Sequence, residues 1–183
     1  MNKTNSDPML STIRDFRRFL YDISLLLSTA TDRFNEFGWS TWNNQCLTEK
    51  GESVNKSEKW MPSYLFRFLK NTDHPNSLCF ISVILDDTDH PYQFHTPLVT
   101  AGKIDYEHGC IIDSTYEYAD SKAALWADRE GLNAGMRLKV DVKMMQESDS
   151  KAQDIVVVAC PLAEIGCTDD LEKKVVLPLM SII

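Results

Sequence analysis

The chain has 183 residues, of which 43% are hydrophobic and 25% are charged, a composition typical of one globular domain with a sizeable core. Its net charge of -8 disfavours nucleic-acid binding, because an acidic surface repels the phosphate backbone and no run of lysine and arginine offsets it. The apolar run at residues 23–27 is too short to cross a bilayer, so no membrane span is predicted.

The first predicted element is one long amphipathic helix, at about residues 7–37. Ser6 and Asp7 are good N-cap residues, Pro8 fits the first helical position, and Gly38 is a natural C-terminal stop. Apolar residues then recur at steps of three and four, close to the spacing of a coiled-coil seam. We call this face the apolar stripe; it comprises Leu10, Ile13, Phe16, Leu20, Ile23, Leu27, Ala30, Phe34 and Phe37.

The sequence leaves two possibilities for what packs against the apolar stripe. The helix lies across a sheet in its own domain, or part of the stripe packs against another chain. In the second case the predicted interface consists of Ile13, Phe16, Leu20, Ile23 and Leu27, flanked by Arg14, Arg17 and Arg18. Together with Arg33, these arginines would set the orientation of the partner at the rim.

The chain after the helix is predicted to be mainly sheet. A polar loop at about 43–58 precedes strands at 60–69, 78–85 and 98–106, which short turns join into an antiparallel meander. Along the first strand, Tyr64, Phe66 and Phe68 alternate with Leu65, Arg67 and Leu69, so each set occupies one face. Within the third, Gly102 is interpreted as a bulge.

The remaining elements are a helix at about 121–132, strands at 137–144 and 155–160, and a short helix that opens at Asp169. The apolar tail at 177–183 is predicted to dock in a groove, either of its own domain or of a partner. The order of elements predicts a single α+β domain over 1–183, with a mainly antiparallel sheet of about five strands, the long helix and one or two shorter helices.

The cysteines predict the compartment. Their number is odd, and none of them forms a C-x-x-C pair, so neither a zinc ribbon nor a thioredoxin-like motif is indicated. Cys79, Cys110 and Cys160 lie in apolar runs, which is typical of small buried side chains. We therefore expect free thiols in the reducing cytoplasm.

Two groups of side chains are candidates for metal chemistry. Carboxylates and imidazoles that lie close together can hold a divalent ion, and the connection after the second strand supplies Asp86, Asp87, Asp89, His90 and His95. The same residues are also typical of a solubilising surface turn.

The second group is Asp113 with Asp141 and Lys143. Residues two apart on a strand share a face, so Asp141 and Lys143, with an earlier acid beside them, could hold Mg²⁺ and stabilise a phosphoryl transition state. The spacing resembles that of restriction-endonuclease-like nucleases, although Ile112 replaces the proline that usually precedes the first acid. The resemblance implies a metal-dependent hydrolase or nuclease; a mixed-charge, solvated strand face is the competing interpretation.

No motif in the chain is specific to one reaction, so the sequence favours a non-enzymatic interaction or accessory subunit that acts through the apolar stripe and the apolar tail. Its partner would be another protein or a second copy. No cofactor is predicted, and a divalent metal only under the hydrolase alternative. A second alternative is a small-molecule binding module with a pocket between helix and sheet, lined by Trp39, Trp42, Trp60 and Phe66.

Overall fold

The computed structural model describes residues 7–42, 47–49, 62–85, 96–110, 112, 138–140 and 151–182. It contains a long N-terminal helix, an antiparallel sheet and a short helix at the C-terminal end, which confirms the predicted α+β class. Helix α1 spans Pro8–Asn35. The strands are β1 (Ser40–Thr41), β2 (Leu47–Glu49), β3 (Tyr64–Lys70), β4 (Ser77–Ile84), β5 (Leu98–Tyr106), β6 (Leu138–Val140) and β7 (Ala152–Pro161).

Both ends of α1 follow from local side chains, as predicted. The Asp7 carboxylate accepts a hydrogen bond of 3.0 Å from the Met9 amide, and Pro8 occupies the first turn. At the other end Gly38 adopts a φ of 82°, and the Trp39 amide donates to the Phe34 carbonyl. A side chain at Gly38 would also crowd the Asn71 amide. Both the positive φ and the lack of space therefore favour glycine at this position.

The sheet has the order β1-β3-β4-β5-β7-β6, every pairing is antiparallel, and β2 also pairs with β3. Strands β3, β4 and β5 form the predicted meander. Of the predicted loop at 43–58, only Leu47–Glu49 lies within the described residues, and it forms the strand β2 opposite the first half of β3. Its ladder uses backbone groups, which the polarity of the side chains does not reveal.

Both faces of the sheet are buried, and they differ in composition. The face that packs on α1, here called the helix face, holds Leu65 and Leu69 of β3, whereas the opposite, aromatic face holds Tyr64, Phe66 and Phe68. The predicted alternation of β3 is therefore confirmed.

Gly102 is not a bulge, because it pairs regularly with Phe80 and Val157, and the irregularity of β5 falls between Asp105 and Tyr106. A side chain at Gly102 would collide with the Phe80 ring and approach the Val156 carbonyl, so close packing explains this glycine.

The C-terminal segment is helical where the sequence predicted a tail. After a 3-10 turn, Leu162–Glu164, an α-helical turn (Thr168–Leu171), a π-helical segment (Glu172–Val176) and a second α-helical turn (Leu177–Met180) form what we call the C-terminal helix. Leu171, Val175, Val176 and Leu179 are buried on the helix face beside α1. The tail thus docks in its own domain, with Leu177 and Ile182 left exposed. The predicted helix at 121–132 lies outside the described residues.

Candidate interaction surface

The first half of α1 has no buried residue. Between Pro8 and Asp22 every residue is exposed or half-buried, whereas Ile23, Leu27, Ala30 and Phe34 are all buried on the helix face. At about 1.5 Å per residue, the 28 residues of α1 are about 42 Å long, so its first turns extend well beyond the buried part. We call residues 8–18 the arm.

Some residues of the predicted interface lie on the exposed first half of α1, and the others lie on its buried second half. Ile13 is 43% exposed, and Phe16 and Leu20 are half-buried, so all three remain accessible. Ile23 and Leu27 are each only 2% exposed and belong to the core on the helix face. Their assignment to an interface with another chain is wrong, since their own sheet already covers them.

The arginines of α1 also fall into an exposed group and one ion-paired residue. Arg14, Arg17 and Arg18 are exposed on the arm, and within the described part of the chain none of them has an ion-pair partner. Arg33 instead lies 2.7 Å from Glu36 and 3.5 Å from Glu172, which connects α1 to the C-terminal helix. The hydrogen bond and charge of Glu36 raise the pKa of Arg33. Arg33 therefore supports the fold, whereas the other three are available to a partner.

An apolar groove of about 500 Å³ begins where the arm ends. One wall is α1, and the other is the segment that leads from β7 into the C-terminal helix. Phe19 and Leu25 are exposed along the first wall, and Leu26 is half-buried. The groove is lined by Phe19, Asp22, Ile23, Leu25, Leu26, Thr29, Leu162, Ile165, Gly166, Cys167, Thr168 and Leu171.

A carboxylate fixes the second wall of the groove. Asp170 accepts hydrogen bonds from the Gly166 amide, at 3.0 Å, and from the Cys167 thiol, at 3.4 Å. Of these two, the Gly166 amide does more to lower the pKa of the Asp170 carboxyl, because both favour the ionised form. The turn at 166–167 is thus held in place, with the Cys167 thiol exposed in the groove.

The neighbouring thiol of Cys160 is set up for packing and not for nucleophilic attack. Burial and the nearby Glu164 carboxylate raise the pKa of Cys160, whereas a reactive cysteine needs a lowered one. Glu164 in turn accepts hydrogen bonds from Lys174 through its carbonyl and its carboxylate.

The three described members of the predicted aromatic pocket do not lie together. Trp39 is buried on the helix face and stacks on His74, whereas Trp42 and Phe66 belong to the aromatic face. The sheet therefore separates them; Trp60 lies outside the described residues. The sequence analysis missed the groove residues Leu162 and Ile165. The nearest signal in the sequence is the pair Leu25 and Leu26, two apolar residues that lie beside the apolar stripe on the helix.

The candidate metal and catalytic residues all lie outside the described residues: Asp86, Asp87, Asp89, His90, His95, Asp113, Asp141 and Lys143. Within the ranges that the structure describes, no three His, Cys, Asp or Glu side chains lie where they could hold one metal ion. None of the helices in those ranges combines the length and the apolar character that crossing a membrane requires.

No protein-family model, curated protein or solved structure matches this chain. A functional assignment therefore depends on the arm and the groove themselves.

Proposed function

We propose that the protein is a non-enzymatic interaction subunit that binds its partner through the arm. The observation that carries this proposal is the apolar stripe itself. The stripe continues in one phase from Ile13 to Phe34, but the sheet covers it only from Ile23 onward. An apolar helix face without a covering layer is typical of a surface that another chain buries.

Association would be driven by removal of the apolar arm residues from water, at about 25 cal/mol per Å² of apolar surface. Met9 is 72% exposed and Leu10 is 44% exposed, so both have apolar surface that a partner could still bury. Arg14, Arg17 and Arg18, which have no ion-pair partner among the described residues, flank this face, and they would speed encounter with an acidic surface and orient it. The free thiols of Cys79, Cys160 and Cys167 fit the reducing cytoplasm as the place of action.

The test compares two single substitutions on opposite sides of the arm. Ile13→Asp places a charge in the apolar stripe, whereas Ser11→Asp places the same charge about 160° away around the helix, at 3.6 residues per turn. The tagged full chain and both variants are expressed in the native host together with an untagged copy, and bound proteins are quantified by mass spectrometry. We expect one partner, or the untagged copy, in stoichiometric amount with the parent chain and with Ser11→Asp, and its loss with Ile13→Asp.

Circular dichroism serves as the control for folding, since Ile13 is outside the core and both variants should retain the parent spectrum. Equal recovery of every bound protein by Ile13→Asp would contradict the proposal, because binding would then not depend on the stripe. So would the absence of any stoichiometric partner, including the untagged copy.

A further inference from the structure

The groove and the apolar stripe of the arm lie on different sides of α1. Asp22, in the lining of the groove, is nine residues from Ile13, so their side chains are about 180° apart around a helix of 3.6 residues per turn. A partner that covers the stripe of the arm would therefore leave the groove open. The groove's volume of about 500 Å³ falls in the range of about 300–1,000 Å³ that small-molecule sites occupy.

Most of the lining is apolar, and the two walls are joined at one end. Seven of the twelve lining residues carry aliphatic or aromatic side chains, among them Leu26 on α1 and Ile165 on the second wall. Just past the last lining residues of both walls, Arg33 of α1 lies 3.5 Å from Glu172 of the C-terminal helix. An elongated apolar ligand would therefore lie between this ion pair and Phe19.

Two carboxylates give the groove a negative charge. Asp22 is the only charged residue of the lining, and it makes no hydrogen bond or ion pair within the described part of the chain. Asp170 lies at the edge of the groove, and the hydrogen bonds that it accepts favour its ionised form. Arg33 and Lys174 are already paired with glutamates. Arg18 precedes Asp22 by one turn but makes no ion pair with it. A ligand of this groove should therefore carry positive charge as well as an apolar part.

From these observations we propose that the groove binds a single-chain amphiphile with a cationic head group, of the alkylamine class. The head group pairs with Asp22, and the alkyl chain lies against Leu26, Ile165 and Leu171. Removal of the chain from water supplies most of the affinity, at about four-fold per buried methylene. The inference does not rest on the proposed function, because the stripe of the arm and the groove are separate surfaces.

Calorimetric titration of the purified full-length protein with decyltrimethylammonium, below its micelle concentration, tests this proposal. Decyl sulfate has the same chain with the opposite charge, and tetramethylammonium has the head group without the chain. We expect one saturable site for decyltrimethylammonium, at least ten-fold weaker binding of decyl sulfate and no measurable binding of tetramethylammonium. Octyltrimethylammonium, which is shorter by two methylenes, should bind about ten-fold more weakly than decyltrimethylammonium.

Matched substitutions locate the head group. Asp22→Asn should weaken the binding of decyltrimethylammonium several-fold and reduce its preference over decyl sulfate. Asp32→Asn makes the same change at an exposed position of α1 outside the groove, and it should leave both quantities unchanged. Ile13→Asp should also bind like the parent chain, so this proposal and the proposed function can fail separately. Circular dichroism of each variant controls for folding.

The thiol of Cys167 locates the alkyl chain, because it is exposed in the lining of the groove. Bound decyltrimethylammonium should slow the alkylation of Cys167 by N-ethylmaleimide several-fold, as measured by mass spectrometry of the peptide that contains it. Tetramethylammonium should leave the rate of alkylation unchanged.

Several results would overturn the proposal. Equal affinity for decyl sulfate would show that the carboxylates do not select the ligand. Many equivalent sites per chain, or equal losses of affinity in Asp22→Asn and Asp32→Asn, would reduce the binding to general attraction by a protein of net charge -8. Binding that leaves Cys167 fully reactive would place the ligand outside the groove. Protection of Cys167 by a captured host protein, without protection by decyltrimethylammonium, would assign the groove to that protein.

Discussion

Phe16 and Phe34 occupy the same apolar stripe of α1 but have different surroundings. Phe34 is fully buried on the helix face of the sheet, whereas Phe16, five turns earlier, is only half-buried. The arginines repeat this contrast, since Arg33 is tied to Glu36 and Glu172 and Arg18 has no ion-pair partner in the described ranges. The second half of α1 thus packs in the core, whereas its first half remains exposed or half-buried.

The contrast shows that periodicity identifies the apolar face of a helix but not what covers that face. The covering depends on the size of the neighbouring layer. Strand β4, on which α1 packs, has eight residues and is about 26 Å long at about 3.3 Å per residue. A helix of about 42 Å is longer than this strand even when the two are fully aligned, so the strand cannot cover the whole apolar stripe.

The largest expected effect compares Phe34→Ala with Phe16→Ala. Loss of a fully buried phenylalanine ring leaves a cavity, so we expect Phe34→Ala to lower the free energy of unfolding by about 3–5 kcal/mol. At low protein concentration, Phe16→Ala should lower it by only about 1 kcal/mol, because Phe16 is half-buried and belongs to neither buried cluster of the sheet. Urea titration followed by circular dichroism measures both values.

Protein concentration sharpens this comparison. If the arm pairs with a second copy, the loss caused by Phe16→Ala should grow as the concentration of protein is raised, whereas the loss caused by Phe34→Ala should persist at every concentration. Equal losses of unfolding free energy in the two variants at low concentration would contradict the difference between the halves of α1, because the arm would then be part of the core.

A second pair of matched residues should respond with opposite sign. Thr31 and Thr12 both donate a hydroxyl hydrogen bond to the carbonyl four residues earlier, at 2.8 Å to Leu27 and 3.0 Å to Pro8, but only Thr31 is buried. Thr31→Ala should destabilise the fold by about 1–2 kcal/mol, because it removes packed atoms and a buried hydrogen bond. Thr12→Ala should stabilise the helix by a few tenths of a kcal/mol, up to about 0.5, since alanine has the higher helix propensity.

Urea titration gives the effect of Thr31→Ala, and the helical signal at moderate temperature gives that of Thr12→Ala. A loss of stability in both variants would argue that the arm packs on the domain much as the second half does.

The sequence was informative wherever local rules decide the structure. Asp7, Pro8 and Gly38 predicted the ends of α1, and the alternation of Tyr64 and Leu65 predicted the two faces of β3. These features depend on residues a few positions apart. The antiparallel sheet could be predicted for the same reason, because its first three long strands are joined by neighbouring segments of the chain.

The groove could not be predicted in this way, because its walls come from distant parts of the chain. Leu25 and Leu162 are far apart in sequence and meet only because both α1 and the segment after β7 pack on the helix face. Likewise, β2 forms through backbone pairing with β3, and its side chains carry no pattern that indicates a strand.

The smallest expected effect concerns Asp170, at the edge of the groove between α1 and the segment after β7. Its hydrogen bonds lower the pKa of its carboxyl from 3.8, so its contribution to stability is present above that pH and is lost as the pH falls through the lower, folded value. Asp170→Asn should therefore be slightly less stable than the parent chain at neutral pH. The difference should shrink as the pH falls below 3.8 and should vanish only below the lower, folded pKa. Urea midpoints across this range measure it, with the exposed Asp169→Asn as the matched control. An unchanged difference in acid would mean that the charge of Asp170 does not hold the turn at 166–167. The second wall of the groove would then owe its position to its other contacts, such as the packing of Leu171 and the Lys174–Glu164 pair.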